Sequence, residues 1–333
     1  MKFSVVVCTY MRPVDIIKML DSIAMQTVYP DEIIIIDASI NAATKKLLIH
    51  SKYQNLHYYF VDENIRGAAK QRNFGITKVS DDVEIICFLD DDVVLLQNYF
   101  EELLNTYDLH PEALGVGGID LNESLKWVRR ERNFKLKFNE HYFDGWSTKE
   151  ASRNLFRKYF GLNSNVDPGF MPLFSHGRNS FPPSGKIYPA ELLISCVCSY
   201  RKSVLDNQKF DDYFVGYSLY EDTALSLKVA KTGKLFINTN AKLNHYHSSS
   251  GRPNKFSYGK MVVRNGWYVW RIKNPNPKMI DQLKWNSITI LYMIIRASNI
   301  VNTRNHKEAF TDAIGRLVGW FSLLFDKPKN SDL

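Results

Sequence analysis

Short apolar runs alternate with segments of helical periodicity through the first third of the chain. Phe3–Cys8 is a continuous apolar, β-branched run. Pro13 then opens a segment in which Ile16, Ile17, Leu20, Ile23 and Ala24 recur at helical spacing. Glu32–Ile36 reads as a second buried strand ending in Asp37, Thr44–His50 as a short helix, His57–Val61 as a strand and Ala68–Lys78 as a helix. Val83–Leu89 is a further buried strand running into Asp90-Asp91-Asp92, followed by a helix over Gln97–Leu109 and a strand over Leu114–Ile119. Strands that are apolar throughout and alternate with helices predict an α/β fold, a mostly parallel sheet covered on both faces. Ligands of such sheets sit beyond the carboxyl ends of the strands. Thr9-Tyr10, Asp37-Ala38-Ser39, Asp62-Glu63-Asn64 and Asp90-Asp91-Asp92 are the polar residues that end four of them.

The pattern changes between Glu123 and Pro189. Phe134, Phe138, Tyr142, Phe143 and Trp146 interleave there with Arg129, Arg130, Arg132, Lys135 and Lys137, and Gly, Pro and Asn follow. The stretch reads as an excursion over the site, made of helical pieces and long loops. Regular structure resumes with a strand over Leu192–Tyr200, a helix over Glu221–Lys231 and strands at Lys234–Asn238 and Ala241–His245. Asn274-Pro275-Asn276-Pro277 is a linker, and C-terminal helices are expected over Met279–Val301 and His306–Phe325. This divides the chain into a nucleotide-binding half (1–122), the basic, aromatic excursion (123–190), an acceptor and catalytic half (191–252) and a helical extension (253–333).

Composition adds little to the fold and more to the partners. The chain has 333 residues and a formal net charge of +8, which favours anionic partners such as nucleotide phosphates or lipid headgroups; nucleic acid is not the expected one. Cys8, Cys87, Cys196 and Cys198 lie in apolar runs, where thiols act as small buried hydrophobes. Cys196 and Cys198 would share one face of a strand, and the set lacks the spacing of a zinc site. A reducing, cytoplasmic setting fits. The N-terminus has no signal-peptide layout, and the longest late apolar run, Ile288–Ile295, is too short to span a bilayer.

Three features carry chemistry. Asp90-Asp91-Asp92 closes a buried strand, and adjacent carboxylates repel one another unless a cation neutralises them. Oxygen ligands of this kind suit Mg2+ or Mn2+. Glu221-Asp222 opens a helix, where carboxylates also serve as plain dipole partners. His245 and His247 precede Ser248-Ser249-Ser250-Gly251 and are candidate ligands.

Taken in order, these segments resemble the family 2 glycosyltransferases, which have the A-type nucleotide-sugar (GT-A) fold. Ser4–Pro13 looks like that family's first strand and loop, Asp21–Thr27 like its first-helix ending, and Glu32–Ser39 like its second strand. Asn64–Ile76 looks like its Asn-x-x-Gly helix entry, Asp90-Asp91-Asp92 stands at its Asp-x-Asp motif, Gly216 with Glu221-Asp222 resembles its later acidic doublet, and Ala241–His245 its closing strand. Cys8 stands where Pro is commoner, and Asp37-Ala38-Ser39-Ile40 lacks the small and acidic residues usual after the aspartate. There is no Gln-x-x-Arg-Trp, the mark of processive synthases, which favours transfer of a single sugar.

The resemblance implies an inverting, metal-dependent transferase using a nucleotide-diphosphate sugar, with a uridine donor expected and a glycan or lipid-linked glycan as acceptor. Asp37 would bond the nucleobase, Tyr10 pack on it with Thr9 and Arg12 beside, and Asp90 or Asp91 hold the ribose. Gly67, Lys70 and Arg72 would meet the diphosphate, although ion pairing is the alternative for Lys70 and Arg72. Asp92 and His245 would hold the cation. Asp222 would be the general base, with Glu221 the alternative. Two rivals stay open on the residues: a haloacid-dehalogenase-type phosphatase using Asp90 and Asp92, whose motif normally ends a first strand, and a non-catalytic nucleotide-binding scaffold. The late segment combines Trp285, Ile288, Ile290, Leu291, Ile294, Leu317, Trp320, Phe321, Leu324 and Phe325 with Lys278, Lys284, Arg296, Arg304, Lys307, Arg316, Lys327 and Lys329. Such helices lie on anionic membrane, pack on the catalytic part or pair in a homodimer.

Overall fold

The structure, a computed structural model, describes residues 1–49, 51–131, 133–194, 196–248, 250–302 and 305–329. His50, Arg132, Ser249 and Arg304, named above, lie outside these ranges. In chain order the elements are β1 (Phe3–Thr9), α1 (Pro13–Ala24), β2 (Glu32–Asp37), α2 (Ala43–Leu48), β3 (Leu56–Phe60), α3 (Ala68–Ile76), β4 (Ile85–Asp90), β5 (Val93–Leu95), α4 (Tyr99–Leu109), β6 (Ala113–Asp120) and α5 (Leu121–Ser124). There follow β7 (Val128–Arg129), β8 (Glu140–Phe143), β9 (Trp146–Lys149), α6 (Ser152–Tyr159), β10 (Ile187–Ala190), β11 (Cys198–Arg201), α7 (Lys202–Asn207), α8 (Glu221–Val229) and β12 (Lys234–His245). The chain closes with α9 (Lys255–Lys273), α10 (Met279–Asn302) and α11 (His306–Phe325). These elements form two compact units: Met1–Trp127 with Asn179–Arg252, and Val128–Arg178 with the chain from Pro253 onward.

The first unit is built on a nine-stranded sheet of order β10-β12-β6-β11-β4-β1-β2-β3, with β5 on β12. β4, β1, β2 and β3 run parallel, as do β12 and β6, while β11, β10 and β5 pair antiparallel with their neighbours. Consecutive residues Val5, Val6 and Val7 are all buried, as are Ile33 through Ile36. Both faces of these strands are therefore covered, which is why they are apolar without alternation. α1 lays Ile16, Met19, Leu20 and Ile23 against the sheet, and α4 adds Tyr99, Phe100 and Leu103. In register, Thr9 faces Asp37 and Cys8 faces Asp90. The polar ends of β1, β2 and β4 thus finish on one line.

Two strand readings change. Leu192–Tyr200 is a strand only from Cys198, because the Val197 amide turns back onto the Ile194 carbonyl before the ladder begins. Cys196 therefore lies in a turn and does not share a strand face with Cys198. Lys234–Asn238 and Ala241–His245 form one strand with a register shift between Ile237 and Lys242. Asn238 secures the irregular stretch, donating to the Glu102 carbonyl and Thr106 Oγ1 of α4 and accepting from the Asn240 amide.

The second unit holds a small sheet of order β7-β9-β8, α6 and the three last helices. α9 is absent from the expectation above. Asn254 caps it, accepting from the Ser257 amide at 2.8 Å, and the spacing of Val263, Trp267 and Trp270 supplies its buried stripe. Those signals were present, but basic and polar residues dilute them. α9 and α11 pack closely through glycine: a Cβ on Gly315 would stand 2.1 Å from the Phe256 carbonyl oxygen. Trp270 stacks on Trp285, and Trp267 meets both edge-on. Asp312 of α11 is buried between Arg296 and Arg316.

Candidate active site

Each of the three consecutive carboxylates has found its own cation. Asp90 accepts from Arg72 Nη2 at 2.9 Å, Asp91 from Arg12 Nη1 at 2.7 Å, and Asp92 stands 3.0 Å from His245 Nε2. Thr9 Oγ1 donates to Asp91 at 2.7 Å, and the Ser248 amide to Asp92 at 2.7 Å. Arg12 also reaches Asp92 at 3.4 Å and holds the Ser250 carbonyl at 2.6 Å. Burial pushes Asp91 up to about 7 despite Arg12. Asp92 feels the same burial, but His245, the Ser248 amide and Arg12 overcome it and hold the carboxyl at about 2. Burial disfavours the His245 cation, yet Asp92 and Asp90 raise it above the ordinary histidine value. Asp92 is not the loosely held loop carboxylate that its sequence position suggests: it is 6% exposed and ties β4 to the end of β12.

A second cluster joins α3 to α8. Gly67 pairs with Gly216 as a parallel bridge, and the Ala68 amide donates to the Gly216 carbonyl at 3.2 Å. Gly67 has φ of 126°, and a Cβ there would stand 3.0 Å from Gly216 N, so both the conformation and the approach require glycine. Its role here is backbone approach, with no side chain between helix entry and acidic loop. One turn on, Arg72 is buried, and its guanidinium bridges Asp90 and Glu221. Of the two expectations for Arg72, the ion pair is the one seen here: its guanidinium joins β4 to α8. Burial pushes Glu221 up to about 8 despite Arg72, and the side chain is 6% exposed. Asp222 beside it is half-buried and accepts from the Thr223 amide at 2.6 Å.

Breaking a buried ion pair by removing one partner costs about 3–5 kcal/mol. Arg72→Met is expected to lose stability of that order in urea unfolding, because it strands Asp90 and Glu221 together. Unchanged stability would show that the bridge holds nothing.

The remaining residues fall out as follows. Asp37 is 0% exposed, accepting from the Ser39 amide at 2.8 Å and Tyr58 Oη at 2.7 Å. In this conformation its carboxylate fixes the turn after β2. Tyr10 is half-buried, with the Arg66 guanidinium 5.4 Å from its ring centroid. Lys70 Nζ donates to the Asn64 carbonyl at 3.0 Å, closing the loop before α3. The sequence reading missed Cys196. Its sulfur and donor atoms of Asp90 and His245 all lie within 4.8 Å of one another. Burial and then Asp90 hold this thiol well above its usual range.

A divalent cation fits these residues. Asp92 Oδ1 is buried and makes no hydrogen bond of good geometry, and carboxylate and imidazole donors converge beside it. Asp90 belongs to the cluster with His245 and Cys196, while Asp92 pairs with His245 directly.

A covered, mostly parallel sheet with acidic strand ends and an acidic doublet at a helix entry is the arrangement expected of a glycosyltransferase of the GT-A fold. Residues 4–173 match the model of glycosyl transferase family 2, and the chain belongs to that family. This sets aside the phosphatase reading. The chain is 30% identical over 146 residues to a glucosyl-dolichyl phosphate glucuronosyltransferase of Haloferax volcanii, a match covering 43% of this chain and 44% of that one. It therefore spans less than half the length of that curated relative. Among solved structures, a mannosyltransferase of Pyrobaculum calidifontis in complex with GDP-Man and Mn2+ superposes with a TM-score of 0.55 at 13% identity, over 98% of this chain and 88% of that one. GalNAc-T7 with UDP, GalNAc and Mn2+ gives 0.51 at 14% identity, over 81% and 49%. At such identities these two likenesses speak to the fold.

Proposed function

We propose that this transferase moves one sugar, with inversion, from a nucleotide-diphosphate donor to a glycan or lipid-linked glycan, with a divalent cation, in the building of a bacterial surface polysaccharide. The observation that carries the reading is the division within the doublet. Glu221 is buried against Arg72, while Asp222 at the same helix entry is half-buried, which supports Asp222 as the member of the doublet that meets an acceptor hydroxyl. Asp222 takes the hydroxyl proton as the oxygen attacks opposite the leaving diphosphate. A cation held by His245 with Asp92 or Asp90 would offset the charge developing on that diphosphate. Asp90 or Asp91 would hold the ribose, Asp90 keeping more surface than Asp91. A uridine donor is the expected one. A donor panel in Mn2+, read first by thermal shift and then by product anomer, tests the proposal. Retention of configuration would overturn it.

We also place the enzyme at the cytoplasmic face of the membrane. Among the described residues no helix is long and apolar enough to cross a bilayer. Trp285, Ile288 and Leu323 are buried in the second unit, and Arg296 and Arg316 are taken up by Asp312, so part of the late apolar and basic set is core. Ile280, Leu283, Ile294, Phe321, Leu324 and Phe325 stay exposed. Anionic vesicles are expected to sediment with the intact chain in a salt-sensitive way, and Leu324→Glu with Phe325→Glu to weaken this about tenfold or more, since each buried side chain contributes some 1.5–3 kcal/mol. Equal binding by the double variant would remove this tail as anchor, and a concentration-dependent dimer in its place would assign the face to self-association.

A further inference from the structure

Cys87 and Cys198 are buried within the strands β4 and β11 and behave as the small hydrophobes their setting predicts. Cys196 stands elsewhere. It lies in the turn before β11, a turn closed by the Val197 amide on the Ile194 carbonyl and anchored to β6 by the Gly118 amide on the Val197 carbonyl at 2.9 Å. That anchoring brings its sulfur toward the ends of β4 and β12. Donor atoms of Asp90, Cys196 and His245, from three separate segments, lie within 4.8 Å of one another. Ligands 2.0–2.3 Å from one ion stand at most about 4.6 Å apart, so small side-chain adjustments close the set. Asp92 Oδ1, buried and 3.0 Å from His245 Nε2, holds that imidazole beside the cluster.

We propose that Cys196 supplies a thiolate to the divalent cation of this site, joining the Asp90 carboxylate and the His245 imidazole in a mixed oxygen, nitrogen and sulfur donor set. The inference rests on the cation dependence proposed above and adds a residue that decides which cation is held. A coordinating thiol is deprotonated by the metal, and the proton passes to solvent. Sulfur and imidazole favour cobalt and zinc over magnesium, which prefers oxygen and retains its waters. The site is thus selective against the most abundant cellular divalent ion of its size.

Cobalt is the probe, because a thiolate bound to Co2+ gives a near-ultraviolet charge-transfer absorption that oxygen and nitrogen ligands do not. The full-length chain is titrated with Co2+, with and without uridine diphosphate, and followed by absorption and calorimetry. The band is expected in the unmodified chain and in Cys198→Ser. Cys196→Ser should lose it and bind Co2+ about tenfold or more weakly, with Mg2+ binding little altered. Cobalt bound without the band, or a band surviving in Cys196→Ser, overturns the thiolate while leaving the cation in place. No binding of Co2+ or Mn2+ even with the nucleotide present overturns the cation dependence itself. Should Cys196→Ser not fold, Cys8→Ser, Cys87→Ser and Cys198→Ser assign the band by elimination. Its loss in any of these overturns the proposal.

Discussion

Asp92→Asn is expected to abolish cation-dependent donor binding and to lower transfer by at least about 100-fold, a loss of several kcal/mol of charge stabilisation at the leaving diphosphate. Asparagine is the informative change. It keeps an oxygen for the Ser248 amide, whereas alanine would also leave the buried end of β12 without its tie to β4. What asparagine removes is the charge that His245 and Arg12 now face. The unfolding temperature should therefore fall, through the lost pairing with His245 and Arg12, with the fold retained, while donor affinity in Mn2+ falls to its value in chelator. Full activity of the variant, or of the unmodified chain in chelator, would end the cation reading. The experiment also separates Asp92 from Asp90. If Asp92 only orients His245, the variant should still bind the ion, weakened by about 10–100-fold as is usual when an outer partner of a ligand is lost.

The sheet was legible because its strands are buried on both faces, and Phe3–Cys8, Glu32–Ile36 and Val83–Leu89 advertise this by continuous apolar character. The helices α1 and α11 were equally plain, since Pro13 and the uninterrupted periodicity from His306 mark them without competition. Less visible were features that depend on distant parts of the chain. Leu192–Val197 has strand composition, but a turn set by its neighbours ends the strand early. Val93–Leu95 becomes a strand only because β12 lies beside it. The site followed the same rule. Residue types and order pointed to Asp90, Asp91, Asp92, Glu221, Asp222 and His245, yet not to which cation each would meet. Arg72 looks like a surface helix cation in sequence. Its position between Asp90 and Glu221 follows from the Gly67–Gly216 approach, 149 residues apart along the chain, which local patterning does not encode. Cys196 was read as filler for the same reason: its partners come from β4 and β12.

Asp222→Asn is expected to leave donor affinity unchanged and to slow turnover by about 100- to 10,000-fold, the range general base catalysis supplies. The amide has nearly the shape of the carboxylate and still accepts from the Thr223 amide, so the start of α8 should hold. It does not take a proton from an acceptor hydroxyl. Glu221→Gln should behave differently. Glu221 has its carboxylate against the buried Arg72 guanidinium, and glutamine would leave that cation with Asp90 alone. The expected outcome is lower stability in urea together with reduced activity, and a small change in the pH dependence of the remaining turnover. Asp222→Asn should show the reverse: an unaltered unfolding curve with turnover largely lost. Measuring both variants for unfolding, donor binding and pH–rate behaviour therefore distinguishes a base from a brace. A stable, active Asp222→Asn beside an inactive Glu221→Gln with the wild-type unfolding curve would transfer the role to Glu221. That result would also require Arg72 to release Glu221 when the acceptor binds.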